Sequence, residues 1–196
     1  MAAPPSDGYS QFREVARGMW APIRWLLGQT TEGETPNRLI GDQLRIQDVL
    51  NRYALAYDSN DLEALMQVFR REATLITSRG TYVGADAIRR NYTWLMEQRE
   101  SSFHTLSNTT VRVLANRTAW SVSYFHVFQL AKSGILQASV GTYFDRLVKE
   151  GSSWAISERR ITGNLRYVMA SEAGPPRPSS PEPTYPETSR DLMAEK

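Results

Sequence analysis

The fold is decided by residues 103–148, FHTLSNTTVRVLANRTAWSVSYFHVFQLAKSGILQASVGTYFDRLV, in which apolar and polar residues tend to alternate. A period of two is typical of β-strands, whereas apolar residues upstream of Phe103 recur every three or four positions, as in helices. Four long strands are therefore predicted, at 103–114, 118–131, 135–148 and 153–167. Short turn sequences (Ala-Asn-Arg, Lys-Ser-Gly and Glu-Gly-Ser) separate them, which favours an antiparallel meander.

Helices are predicted upstream of this meander. An apolar stripe predicts a helix from about Asp42 to Tyr57, and its members are Ile46, Val49, Leu50, Tyr53 and Tyr57. Asn60 and Glu63 resemble a capping box for a short second helix. Two short strands at 73–77 and 81–84 follow, and another helix begins after Gly84. Helices followed by a large sheet indicate an α+β fold.

The two ends of the chain differ from this central domain, which is expected to span residues 42–168. Residues 1–41 form an N-terminal extension with an amphipathic helix at 9–27, which Pro22 ends or kinks. Residues 169–196 form a tail that holds six of the ten prolines. Such a composition is typical of a disordered segment or of an extended arm.

The composition excludes several classes of function. The formal net charge is only +2, and no run of basic residues is present, so no nucleic-acid partner is expected. The chain has no cysteine, which excludes disulfides and thiolate nucleophiles and fits a cytoplasmic protein. No apolar stretch reaches the roughly 18 residues of a membrane span, so no stable membrane insertion is expected.

Several segments together resemble a known family. They are IQDVLNRYALAYDSNDLEALMQVF (46–69), GTYVGADAIRR (80–90), FHTLSN (103–108), GTYFDRL (141–147) and Trp154 with AISERR after it. In this order they resemble the SnoaL-like family of the nuclear transport factor 2-like superfamily, over residues 42–168. The resemblance implies a cone of helices packed on a strongly curved, mostly antiparallel sheet, with one small-molecule pocket inside.

The resemblance also implies a site. Scytalone dehydratase and hexachlorocyclohexane dehydrochlorinase, two enzymes of this superfamily, remove a substrate proton with an Asp at the end of the first core helix and a His on the first long strand. Asp58 and His104 stand at those positions. Arg159 matches a pocket arginine of the dehydrochlorinase, and His126 matches a second pocket histidine of scytalone dehydratase. Tyr53 replaces a lysine of the dehydrochlorinase, which argues against chloride elimination.

Elementary chemistry supports an Asp-His pair. A carboxylate that accepts a hydrogen bond from one imidazole nitrogen fixes the tautomer and leaves the other nitrogen as a base. The negative end of the preceding helix should make Asp58 more basic. Structural interpretations remain open: Asp58 as an exposed helix end, His104 and His126 as surface or core residues, and Arg159 as a solvated partner of a nearby carboxylate, Glu158 or Asp145.

Strand alternation predicts which strand residues join the site. The even-numbered residues from Trp120 to Leu130 are apolar or aromatic apart from His126, so they are expected to face the helices and to bring Tyr124 and His126 inside. Asn108 shares the face of His104. The predicted substrate-binding residues are Tyr53, Tyr57, Asn108, Tyr124, His126 and Tyr143. No metal or other cofactor is expected, because the ligand spacings and nucleotide-binding motifs are missing from the sequence.

The favoured function is therefore a cofactor-independent lyase or isomerase. Asp58, His104 and Arg159 would act on a small, largely apolar molecule, aromatic compounds included, by dehydration, a deformylation-type elimination or double-bond isomerisation. The alternatives are a structural subunit resembling the small subunit of ring-hydroxylating dioxygenases and a plain small-molecule binder. A homodimer or homotrimer is expected, because an open sheet face and an apolar N-terminal helix need covering.

Overall fold

The computed structural model describes residues 23–28, 36–114 and 117–169. Of the predicted helix at 9–27, only the end lies within these residues, and residues 23–27 are helical. The rest of that helix and the proline-rich tail from residue 170 onward lie outside the described residues.

The described chain confirms the predicted α+β architecture. Its helices are α1 (Pro36–Asp58), α2 (Leu62–Gln67) and α3 (Ala85–Glu97). Its strands are β1 (Phe69–Thr77), β2 (Gly80–Val83), β3 (Arg99–Val113), β4 (Thr118–Ala131), β5 (Leu136–Glu150) and β6 (Ser153–Met169). None of the helices in this part of the chain is long and apolar enough to cross a membrane.

The six described strands form one sheet in the order β2-β1-β6-β5-β4-β3. Strands β3 to β6 pair antiparallel with their neighbours, as the meander predicts. Strand β1 pairs parallel with β6, and Leu75 lies opposite Arg159. The short strands that precede α3 are thereby joined to the end of the domain.

The core lies between α1 and one face of the sheet. The predicted stripe of α1 is buried there, and Ile46 and Leu50 pack with Leu147 of β5 and Ile156 of β6. Full burial of such an aliphatic side chain contributes about 1.5–3 kcal/mol before entropy is subtracted. This face of the sheet, called the inner face below, is also the face on which a cavity can form.

A buried carboxylate connects α1 to the end of the sheet. Asp42 is 1% exposed. It accepts hydrogen bonds from Nζ of Lys149 at 2.7 Å and from Nε1 of Trp154 at 3.0 Å. Because these donors lie on β5 and β6, Asp42 fixes the position of the helix over the sheet.

Several element boundaries differ from the prediction, among them the starts of α2 and β1. The N-cap of α2 is Asp61, whose side chain accepts from the backbone N–H of Ala64 at 2.8 Å. Asn60 instead adopts a positive φ of 59° and accepts a hydrogen bond from Arg99. Strand β1 begins at Phe69, four residues before the predicted start, because Phe69 pairs with Ile156 on β6.

The two faces of β4 are the reverse of the expectation. Phe125 and Val127, at odd positions, belong to the core, and Val127 lies opposite His104. The even-numbered residues point to the other side, called the outer face, where Trp120 contacts Trp25 with their ring centroids 5.2 Å apart. Because both faces of β4 carry large apolar side chains, alternation alone does not show which face meets the helices.

A β-bulge interrupts β3. Ser107 pairs with Tyr124 and Thr110 with Val122, so one extra residue lies on β3. Asn108 is within this bulge and has a positive φ of 50°. An extra residue reverses the alternation, and Val111 consequently points into the core.

Candidate active site

The central feature of the site is a hydrogen-bonded pair formed by Asp58 and His104. Asp58 is the last residue of α1, and His104 lies on β3, which packs against that helix. Nδ1 of His104 is 2.6 Å from Oδ1 of Asp58. The His104 side chain is 3% exposed and that of Asp58 is 19% exposed. The pair is therefore largely removed from bulk water.

Two further donors hold the Asp58 carboxylate. The backbone N–H of His104 donates to Oδ2 at 2.7 Å, and Oγ of Ser102 donates to Oδ1 at 2.7 Å. Burial works to raise the pKa of Asp58, but the His104 and Ser102 hydrogen bonds outweigh it, so the pKa is lowered. The expectation of a more basic Asp58 at the helix end is wrong, because these contacts exceed the helix-end effect.

An ionised Asp58 determines how His104 is protonated. The carboxylate is an acceptor, so Nδ1 of the neutral imidazole carries the hydrogen and Nε2 keeps its lone pair. Nε2 makes no hydrogen bond within the described part of the chain, and His104 lines a cavity. The pair therefore presents one basic nitrogen to that cavity.

The cavity has a volume of about 630 Å³ and opens to solvent on one side. A volume of this size is typical of small-molecule sites. Its wall combines aromatic and aliphatic side chains with a few polar groups. Besides His104, the lining residues include Tyr53, Tyr57, Tyr92, Phe125, Val127, Gln129 and Tyr143.

Tyrosines dominate the wall near His104. The hydroxyl of Tyr92 donates to that of Tyr53 at 3.1 Å, and Nε2 of Gln129 donates to the Tyr57 hydroxyl at 3.1 Å. Burial raises the pKa of Tyr57 to about 12, and it also raises the pKa values of Tyr92 and Tyr143. At neutral pH these phenols stay protonated and can donate hydrogen bonds to a ligand.

Arg159 lies behind the tyrosines and does not line the cavity. It is fully buried, and its Nε and Nη2 donate to the two carboxylate oxygens of Asp145 at 2.7 and 2.8 Å. Its guanidinium carbon is 4.0 Å from the ring centre of Tyr53 and 4.4 Å from that of Tyr143. The predicted direct contact of Arg159 with substrate is therefore corrected: in this structure it supports the rings from behind.

Three other predicted substrate-binding residues lie away from the cavity. Tyr124 and His126 are on the outer face, and the His126 ring packs against Phe128 at 4.4 Å between centroids. Asn108 is exposed in the bulge of β3. The reversed faces of β4 and the bulge, described above, account for all three corrections.

The comparison with known proteins places this architecture in a family. The family model of the SnoaL-like domain matches residues 38–160. The chain belongs to the SnoaL-like family. A search of the curated proteins found no match for this SnoaL-like chain.

Solved structures share the cone-shaped fold of this SnoaL-like domain. A hexachlorocyclohexane dehydrochlorinase, LinA type 2, has a TM-score of 0.68 at 13% identity, covering 74% of this chain and 100% of its own. A protein of Novosphingobium aromaticivorans assigned as an aromatic ring hydroxylase has a TM-score of 0.63 at 25% identity, with coverages of 69% and 96%. Another protein of that organism, assigned as a scytalone dehydratase, has a TM-score of 0.65 at 17% identity, covering 75% of this chain and 100% of its own.

Other residues of the SnoaL-like cavity were missed by the sequence reasoning. Tyr92 of α3 was not among the predicted site residues, and Gln129 was not expected inside because only the even-numbered residues of β4 were predicted to face the helices. Arg79, Asn91 and Arg166 also line the cavity. The cavity's length along α3 comes from tertiary packing, and the sequence contains no local signal for it.

Side chains suited to a metal site do not cluster in this SnoaL-like domain. Within residues 23–28, 36–114 and 117–169, no three His, Asp or Glu side chains come together at ligand distances.

Proposed function

We propose that the SnoaL-like domain is a lyase or isomerase in which His104 removes a proton from a carbon atom of a small, largely apolar substrate. The observation that carries this proposal is the 2.6 Å contact between Asp58 and His104 at the wall of the cavity. A general base needs a lone pair within reach of the substrate and a partner that stabilises the cation formed. Nε2 of His104 and the Asp58 carboxylate fulfil these two conditions.

The proposed reaction begins with proton transfer from a substrate carbon to Nε2. Asp58 stabilises the imidazolium, and the electron pair of the broken C–H bond forms a new double bond. In an elimination, a leaving group departs from the neighbouring carbon with its electron pair. In an isomerisation, the existing double bond next to that carbon breaks, its π electrons move to the far carbon, and the imidazolium returns the proton there. The phenol hydroxyls of Tyr53 and Tyr57 would donate hydrogen bonds to a substrate oxygen on which negative charge develops.

Two of the structural neighbours support this reaction class by their names. A dehydrochlorinase and a dehydratase both form a double bond by elimination, and both share the fold of this chain. The small share of identical residues leaves the substrate of this chain to be found by experiment. Aromatic and alicyclic hydroxy compounds are the first class to screen, since the cavity wall near His104 is largely aromatic.

The first test compares two histidine variants. A panel of such compounds is incubated in D₂O with the purified protein, and loss of water or uptake of deuterium at carbon is followed by mass spectrometry. His104→Ala should lower the rate by about 10²–10⁴-fold, the usual contribution of a general base. His126→Ala is the matched control and should retain activity, because His126 lies on the outer face. Activity should also survive a chelator.

The second variant tests the role of Asp58. Asp58→Asn should cost a similar factor, because an amide cannot stabilise the imidazolium as a carboxylate does. The two losses should not add in the double variant, since both residues serve one proton transfer. A fully active His104→Ala protein would contradict the mechanism and point to a cavity tyrosine.

A second candidate function is a structural subunit of a ring hydroxylase. The observation that favours it is the similarity to the protein assigned as an aromatic ring hydroxylase, at 25% identity. Purification separates the two candidates. A structural subunit should co-purify with a larger redox partner and be inactive alone, whereas the proposed enzyme should turn over substrate without a partner.

A further inference from the structure

The cavity has a cationic outer end that the proposed mechanism does not use. Arg79 and Arg166 line the cavity together with His104 and the tyrosines. Arg79 and Arg166 are both exposed residues. No Asp or Glu of the described chain lines the cavity, and neither arginine forms an ion pair with a described carboxylate. The outer end therefore carries positive charge that is not neutralised locally.

Arg79 is held over the cavity by an aromatic ring. It lies in the turn between β1 and β2, and its guanidinium carbon is 5.2 Å from the ring centre of Trp94 on α3. A cation–π contact of this kind orients an otherwise flexible side chain. Burial raises the pKa of Tyr57 to about 12, and the charge of Arg79 is among the groups that oppose this rise. The positive charge of Arg79 therefore acts on the Tyr57 phenol inside the cavity.

A buried amide next to the arginines lacks a partner. Asn91 of α3 is 7% exposed and lines the cavity, and its Nδ2 makes no hydrogen bond within the described chain. A buried donor without a partner destabilises the fold unless a ligand or water satisfies it. Asn91, Arg79 and Trp94 also line an adjoining hollow of about 600 Å³, to which Arg90 adds another guanidinium.

The arginines at this end of the cavity share a preference for anionic ligands. Guanidinium groups are donors with no acceptor, and they bind carboxylates through paired, charge-assisted hydrogen bonds. A carboxylate at the outer end would stay partly hydrated, so its desolvation costs little, while an apolar body could fill the aromatic interior. A neutral ligand of the same shape would leave the arginine charges without a counterion.

We infer that the outer end of the cavity binds the carboxylate of an organic acid whose apolar body reaches His104. The inference rests on the proposed function only in naming His104 as the inner end; the recognition itself depends on Arg79, Arg166 and Asn91. It narrows the substrate class to small aromatic or alicyclic carboxylates.

The test compares an acid with its neutral isostere. Binding of 2-naphthoate and of 2-naphthamide to the full chain is measured by isothermal titration calorimetry. The wild type should bind the acid about tenfold more tightly than the amide, because charge-assisted hydrogen bonds form only with the acid. Arg79→Gln with Arg166→Gln should reduce this preference to less than about threefold, and added salt should weaken it through screening.

Two control variants separate this inference from other effects. Arg160→Gln removes an exposed arginine from the same strand as Arg166, and its side chain contacts Glu158 rather than the cavity; it should keep the full preference for the acid. His126→Ala should also keep it, because His126 lies on the outer face of the sheet and does not line the cavity. Equal binding of acid and amide by the wild type, or a preference that persists in the double arginine variant, would overturn the inference. Either result would leave the His104 rate test of the proposed function unaffected.

Discussion

Asp42 is a single residue whose charge connects three elements of the domain. Burial works to raise its pKa from the ordinary value of 3.8, but hydrogen bonds from Lys149 and Trp154 lower it further than burial raises it. A carboxylate with a lowered pKa in the folded state binds protons more readily when unfolded. Its contribution to stability is therefore complete above the ordinary pKa and is lost as the pH falls through the folded-state pKa.

We expect Asp42→Asn to lower the free energy of unfolding by about 2–4 kcal/mol at pH 7, since Lys149 loses its buried counterion. The difference from wild type should begin to narrow as the pH falls below the ordinary value of 3.8 and should narrow further below the lowered folded-state pKa, where the wild-type carboxylate is protonated too. Urea unfolding followed by circular dichroism measures both quantities. Asp48→Asn is the matched control on the same helix, because the exposed Asp48–Arg52 pair should contribute less than about 1 kcal/mol. A wild-type-like Asp42→Asn protein would refute this account.

At the residue scale, the pairing of two side chains is easier to predict from the sequence than their depth below the surface. The resemblance to the SnoaL-like family, applied to the end of the helical stripe and to the first long strand, is what led to Asp58 and His104, whose side chains lie 2.6 Å apart. Strand alternation did not decide between Arg159 and Arg160, and the distance of Arg159 from the cavity was not predictable. That distance depends on the register of β5 and β6, which places Asp145 opposite Arg159 and lets the pair neutralise itself.

A glycine in β5 determines where one ring of the cavity wall lies. Phe125 of β4 lies against Gly141 and stacks on Tyr143 of β5, with ring centroids 4.5 Å apart. A Cβ atom on Gly141 would be 2.6 Å from Cζ of Phe125 and would also run into the carbonyl oxygen of Thr162. The absence of a side chain at position 141 therefore sets the position of the Phe125 ring.

We expect Gly141→Ala to destabilise the fold by about 1–3 kcal/mol, the usual cost of overpacking, and to displace Phe125 into the cavity. Thermal unfolding measures the first effect, and weaker binding of the naphthyl probes measures the second. Gly163→Ala is a control beside the same ring, since its Cβ would meet Phe125 at an ordinary 3.7 Å. A Gly141→Ala protein as stable as Gly163→Ala would show that β5 and β6 can separate without cost.

At the element scale, the long strands were predictable within a few residues because short turns separate them. The face of β4 that points inward was not predictable, since apolar side chains occupy both faces of this strand. The bulge at Asn108 was not predictable either, because no glycine or proline marks it in the sequence. One extra residue there reverses the alternation and brings Val111, rather than its neighbours, into the core.

For the whole molecule, the outer face of the sheet is the surface that remains to be explained. Trp25 covers part of it by packing on Trp120 and Phe144. Elsewhere Phe103 is 66% exposed and Tyr167 is 53% exposed. Large apolar side chains exposed on an open sheet are typical of surfaces that bind another protein chain.

We expect the protein to form a dimer or trimer through this outer face, and Phe103→Glu to shift it toward the monomer by placing a charge at the contact. Light scattering coupled to size exclusion gives the mass in solution. Val83→Glu is the matched control, because Val83 is equally exposed but lies on β2, at the opposite edge of the sheet. A wild-type monomer at micromolar concentration would be evidence against self-association.

The parallel pairing of β1 with β6 has a consequence for how the chain folds as it is synthesised. Phe69–Thr77 leaves the ribosome long before Ser153–Met169, its partner in the sheet. Until β6 is made, the edge of β1 that later pairs with it has no partner strand. Unpaired strand edges make a nascent chain prone to aggregation. Contacts between segments so distant in sequence also form slowly. The domain therefore reaches its closed form only after β6 is made, and a ribosome that stops within this strand releases a product that lacks its central strand.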